Sequence, residues 1–112
     1  MIVDLFVKEC LEEATITNQK YYNVTGRLKD KSNKIEKFSV KDYNEKDNTL
    51  FQSLSSRSNA DKMVFAFNEY WIILDVNEIK KFSKLNNKRK LMFKDLYNNT
   101  DWVTKIKRDD TK

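Results

Sequence analysis

The sequence has no histidine, no proline, one glycine (Gly26) and one cysteine (Cys10). Without histidine, the common zinc sites and every histidine-based triad are excluded. One cysteine excludes an internal disulfide and a cysteine-rich metal site. Hydrolytic chemistry would have to use carboxylates, lysine and a hard cation such as Mg²⁺. No apolar run approaches the roughly 18 residues of a membrane-crossing helix, so no membrane partner is expected. The opening Met1-Ile-Val-Asp4 carries an acid where a signal peptide carries basic residues. The expected location is the cytoplasm, that of a host cell if the source is viral. Scarce Gly and Pro beside abundant Asn and Lys fit an AT-rich bacterial or viral genome.

What is present suffices for one core. The chain has 112 residues, 39% of them apolar, with seven Phe, five Tyr and two Trp. That length predicts a single domain over 1–112. The charged fraction is 35% and the net charge +5. The charge is uneven. Residues 1–76 hold eleven Lys/Arg and twelve Asp/Glu, whereas 77–108 hold ten Lys/Arg against Glu78, Asp95 and Asp101. A basic C-terminal third points to a polyanion partner; a solvated face kept for solubility would give the same excess.

The densest apolar runs are Met63 to Phe67 and Tyr70 to Val76, separated by Asn68-Glu69. Strand-length runs with a two-residue gap predict a hairpin, and Asn tolerates the positive φ of a tight turn. Ile79, Phe82 and Leu85 then recur at helical spacing, predicting a helix over 78–85 with Asn77 as its N-cap. Upstream, Val3, Val7, Cys10 or Leu11, and Ala14 predict a helix over 2–14. Tyr21 to Leu28 and Ile35 to Tyr43 are predicted strands. In the second, Glu36, Phe38 and Val40 should face one way and Lys37, Ser39 and Lys41 the other. Leu50, Phe51 and Leu54 predict a short helix over 49–57. Leu91 to Tyr97 offers a helical turn or two, and Trp102 to Ile106 fits either a strand or a short helix. The expected fold is α+β, a mixed sheet of about four strands with flanking helices.

Phe38-Ser-Val-Lys-Asp42, Asn48-Thr-Leu-Phe-Gln-Ser-Leu54, Ser58-Asn-Ala-Asp-Lys-Met-Val-Phe-Ala-Phe67 and Trp71-Ile-Ile-Leu74 together resemble small phage and mobile-element nucleases of the PD-(D/E)xK superfamily. The resemblance covers about residues 35–85. It implies a strand ending in carboxylate-x-lysine, and an Ala-Asp before a strongly apolar strand. Lys41 falls where the catalytic lysine belongs, and Ala60-Asp61 matches the second pattern. The chain departs from the family at the metal ligands. Ser39 stands in the carboxylate position, and the strand that should supply an acid offers Asn23 and Thr25. Glu36 is one position out of phase.

Three functions follow from these residues. The first is a catalytically degenerate nuclease-like protein that binds nucleic acid or a nucleoprotein complex. Its phosphate contacts would be Lys37, Lys41, Arg57, Lys80, Lys84, Lys88 and Arg89, and it needs no cofactor. The second is an active DNA endonuclease with Lys41 as its catalytic lysine, the one case requiring Mg²⁺. The third is a small inhibitor of a host defence complex, of the anti-CRISPR type, whose partner is a host protein.

Overall fold

A computed structural model describes residues 2–29, 33–42, 50–52, 57–86 and 90–109. The element order is α1 (Ile2–Cys10), β1 (Leu11–Ile16), β2 (Val24–Leu28), β3 (Glu36–Asp42), β4 (Leu50–Gln52), β5 (Lys62–Ala66), β6 (Tyr70–Asp75), α2 (Val76–Asn86), β7 (Lys90–Met92), α3 (Phe93–Asn99) and β8 (Val103–Lys107). The fold is α+β. Its sheet has six strands in the order β1-β2-β3-β5-β6-β8, not about four, and β4 and β7 form a separate pair. Every neighbouring pair of the large sheet is antiparallel except β3–β5. No described helix is long and apolar enough to cross a membrane.

The two additional strands come from opposite ends of the chain. The helix expected over 2–14 stops at Cys10, and the chain passes directly into β1. Glu12, Glu13 and Ala14 suit a helix by propensity, but pairing with β2 overrides that preference. The Lys29 backbone N–H donates to the Cys10 carbonyl at 2.9 Å, and its ammonium to the Lys8 carbonyl at 2.8 Å. These bonds satisfy helix-end carbonyls that would otherwise lack partners. The second additional strand, β8, resolves the ambiguity over 102–106 by pairing with β6.

Two cores lie on the two faces of the sheet. Val3, Phe6 and Cys10 of α1 pack against Val24, Phe38, Val64, Trp71 and Ile73. The Phe6 ring lies 5.2 Å from Trp71 and 5.6 Å from Phe38, centroid to centroid. The sheet wraps this helix: one Glu9 oxygen accepts from Trp71 Nε1 on β6 and from the Asp109 backbone N–H after β8. On the opposite face, Met63, Phe65, Ile72 and Leu74 pack under Val76 and Ile79 of α2 and Leu96 of α3. Residues 63–66 and 71–74 are all buried because both faces are covered.

The hairpin forms as expected, closed by the Phe67 N–H to Tyr70 carbonyl bond. Its turn uses no positive φ, since Glu13 is the only non-glycine residue with one among those described. Helix α2 begins two residues earlier than expected. Its cap is Asp75 and not Asn77: Asp75 Oδ2 accepts the Glu78 N–H at 3.2 Å. The short helix expected over 49–57 is corrected at 50–52, where β4 pairs with β7. Residues 53–56 lie outside those described.

Candidate functional site: the side of the sheet under α2 and α3

Register decides which way the candidate cations face. Ser39 and Lys41 stand opposite Met63 and Phe65 of β5, which belong to the core under α2 and α3. Lys37, two residues before Ser39, shares that side. Glu36, Phe38 and Val40 alternate to the α1 side and are buried, as the strand pattern predicts. On β8, Lys105 and Lys107 stand opposite Ile72 and Tyr70, while Val103 of the same parity packs in the second core. Both β8 lysines are exposed, on the side that carries α2 and α3.

The individual positions differ in what they can offer. Lys41 is exposed. Lys37 is half-buried, with its ammonium 5.5 Å from the Tyr22 ring centroid. Lys80 donates to the Ser58 carbonyl, so it ties α2 to the approach to β5. Lys84 is exposed in the last turn of α2, where a cation also complements the helix dipole. Arg57 is exposed just ahead of β5. Lys88 and Arg89 lie outside the described residues. Arg27 shares this side of the sheet but is taken by Glu12 at 2.9 Å and Glu13 at 3.3 Å.

The positions marked by the nuclease resemblance have structural work. Asp61 Oδ2 accepts the Lys37 backbone N–H at 2.8 Å, and the Asp61 N–H donates to the Lys37 carbonyl at 2.8 Å. Asp61 therefore locks the start of β5 to β3. Asn23 accepts the Val40 N–H at 2.9 Å and donates to the Val40 carbonyl at 3.1 Å, extending the pairing of β2 with β3. Glu36 lies on the other side of β3 from Lys41 and binds Lys62 at 3.2 Å; Asp75 binds the same ammonium at 2.8 Å. The Lys62 ammonium also sits 4.5 Å from the Trp102 ring centroid. Burial opposes the lysine charge, but the hydrogen bonds and charges of Asp75 and Glu36 outweigh it, and the pKa is raised.

Among the described residues, no group of three or more Cys, Asp or Glu side chains could hold a metal. A Mg²⁺ ion beside Lys41 would need several hard oxygen ligands, which these residues do not supply. Cys10 is buried, and burial first, then the charge of Glu9, push its thiol up to about 12. It is a core residue and a poor nucleophile.

An open groove of about 580 Å³ lies on the side that carries α2 and α3, lined by Phe67, Tyr70, Ile72, Phe93, Tyr97 and Lys105, with Asn68 and Glu69 also bordering it. The Lys105 ammonium lies 4.1 Å from the Tyr70 ring centroid. Sequence reasoning passed over this group because its members come from three separate elements. The available signal was the lysine alternation within Val-Thr-Lys-Ile-Lys, which becomes informative once 103–107 is a strand.

No family model matches this chain, and comparisons with curated proteins and with solved structures found no match.

Proposed function

We propose that this protein binds nucleic acid, free or within a nucleoprotein complex, chiefly through backbone phosphates. The observation carrying this reading is that exposed lysines from separate strands share one side of one sheet: Lys41 of β3, and Lys105 and Lys107 of β8. Lys81 and Lys84 of α2 add exposed positive charge. The opposite side of β3 cannot serve in the same way, since α1 covers Phe38 and Val40 there. Phosphate contacts of this kind position a polyanion without reading its sequence. The carboxylate geometry favours binding over cleavage, because Glu36 and Asp75 are committed to Lys62, on the far side of β3 from Lys41.

The test is binding of a labelled DNA duplex across a salt series. Affinity should fall steeply as salt rises, and each lysine-to-alanine change at 41, 105 or 107 should lower the log–log slope by about 1. An affinity that stays flat from low to moderate salt would sink the reading.

A further inference from the structure

We propose that the aromatic groove beside β8 takes an unpaired nucleobase, so that the protein prefers single-stranded nucleic acid to duplex. This rests on the nucleic-acid reading above and assigns it a binding subsite. The groove volume of about 580 Å³ falls within the roughly 300–1,000 Å³ of small-ligand sites. Its wall contains a supported stack of rings. Phe93 is held edge-on by Phe65 at 4.9 Å and by Phe67 at 4.8 Å, centroid to centroid. Tyr97 lies against Phe93 at 5.8 Å, with 29° between the ring planes. Phe65 is fully buried, so the stack is anchored in the core, and Tyr97 at its outer end is 37% exposed. A further flat ring laid on Tyr97 would continue the series.

Charge selects which ring. Lys105 borders the groove, whose described lining holds one acid, Glu69, and Lys107 follows on the same face of β8. A flat ring joined to a phosphate satisfies both the stack and the cations. An aromatic peptide side chain would satisfy the stack alone. Stacking between bases and aromatic side chains is tolerant of sequence, because every base has a π face. In a duplex those faces are occupied by neighbouring bases, which leaves only the phosphates to bind.

The test compares binding of labelled oligo-dT, a duplex of the same length, and an abasic phosphodiester chain of the same length, at one low salt concentration. Tyr97→Ala should lower oligo-dT affinity about tenfold and lower the ratio of single-strand to duplex affinity in step. Tyr97→Phe should restore the ratio, since a phenyl face stacks equally. The abasic chain should bind the wild type and Tyr97→Ala alike. Lys105→Glu, on an exposed strand position, should weaken all three ligands through their phosphates; should Tyr97→Ala unfold, Tyr97→Leu, which keeps bulk without a π face, should show the same selective loss on oligo-dT. Oligo-dT affinity unchanged in Tyr97→Ala, or equal losses on oligo-dT and the abasic chain, overturns the base subsite. Duplex binding without single-strand preference in the wild type also overturns it and leaves the phosphate reading standing. A wild type that binds none of the three overturns both.

Discussion

Glu36 Oε2 lies 3.2 Å from Lys62 Nζ, on the opposite side of β3 from Lys41. The Glu36 carboxylate is thus an anchor for a cation on the neighbouring strand. Asp75 completes the arrangement at 2.8 Å, and the Lys62 side chain is only 13% exposed. Replacing Lys62 by methionine would leave the buried Glu36 and the partly buried Asp75 carboxylates without their cation. Breaking such a site costs about 3 kcal/mol. Urea unfolding of Lys62→Met should show that loss, and adding Glu36→Gln should recover part of it through the coupling between neighbours.

Alkaline pH should weaken the fold through two groups acting in the same direction. The Lys62 pKa is raised above its usual 10.5, so the folded state holds that proton more tightly than the unfolded state. Its contribution is complete below about 10.5 and is lost as pH rises through the folded value. The Cys10 thiol is raised from 9.0 to about 12. Above pH 9 the unfolded chain ionises there while the folded chain does not. Stability should decline from about pH 9, by up to about 1.4 kcal/mol per pH unit for each group. Cys10→Ala should postpone the onset of the decline. In the native protein, a thiol reagent at neutral pH should modify Cys10 no faster than the chain opens.

Much of the fold was legible because several segments carry one dominant pattern. The β5–β6 hairpin, the alternation of β3 and the Ile79–Phe82 face of α2 each follow from local spacing, but Leu85, the third member of the expected stripe, is 84% exposed near the helix end. The failures have a common physical origin in long-range pairing. Leu11 to Ala14 reads as helix until β2 lies beside it, and Trp102 to Ile106 has no clear state until β6 pairs with Val103 to Lys107. The site follows the same division. Lys41 was visible on its strand, but Tyr70, Phe93, Tyr97 and Lys105 meet only through the sheet and α3. The resemblance drew attention to Asp61 and to the acid missing at Ser39. Only side-chain geometry distinguishes the backbone clamp made by Asp61 from a metal ligand.

Gly26 is expected to resist replacement for a steric reason, since its φ is not positive. A Cβ there would meet Leu11 Cδ1 at 3.0 Å, and Ala14 Cα and Cβ at 3.2 Å. The contact arises where the register of β1 shifts between Glu12 and Thr15. The leucine tip can rotate, but the Ala14 backbone is held in the sheet. Gly26→Val adds two more methyl groups to this contact and should cost about 2 kcal/mol. Thermal melting would measure it, and an unchanged midpoint would show that β1 yields without strain.

Glu78 connects two parts of the chain. Its N–H is held by Asp75, while its carboxylate accepts the backbone N–H groups of Asp101 at 2.8 Å and Trp102 at 3.0 Å. The start of α2 therefore fixes the turn that leads into β8. Glu78→Ala should cost about 1 kcal/mol. Faster hydrogen exchange should be confined to the Asp101 and Trp102 amides and the adjoining part of β8. An equal increase throughout the sheet would mean that Glu78 acts on global stability and has no local clamping role.

Asp61 and Lys41 are the two positions that the nuclease resemblance would make functional together, and their geometry assigns them different tasks. Asp61 spends its carboxylate and its backbone on Lys37. Lys41 is exposed two strand positions past Ser39. Asp61→Ala should therefore destabilise the fold by about 1–2 kcal/mol, leaving the Lys37 N–H without its acceptor. Lys41→Ala should change stability by no more than about 0.5 kcal/mol while lowering the salt slope of nucleic-acid binding by about 1. Melting curves and binding isotherms on the same two variants separate the roles. Salt dependence that survives Lys41→Ala unchanged would take β3 out of the interface and leave β8 and α2 to carry it.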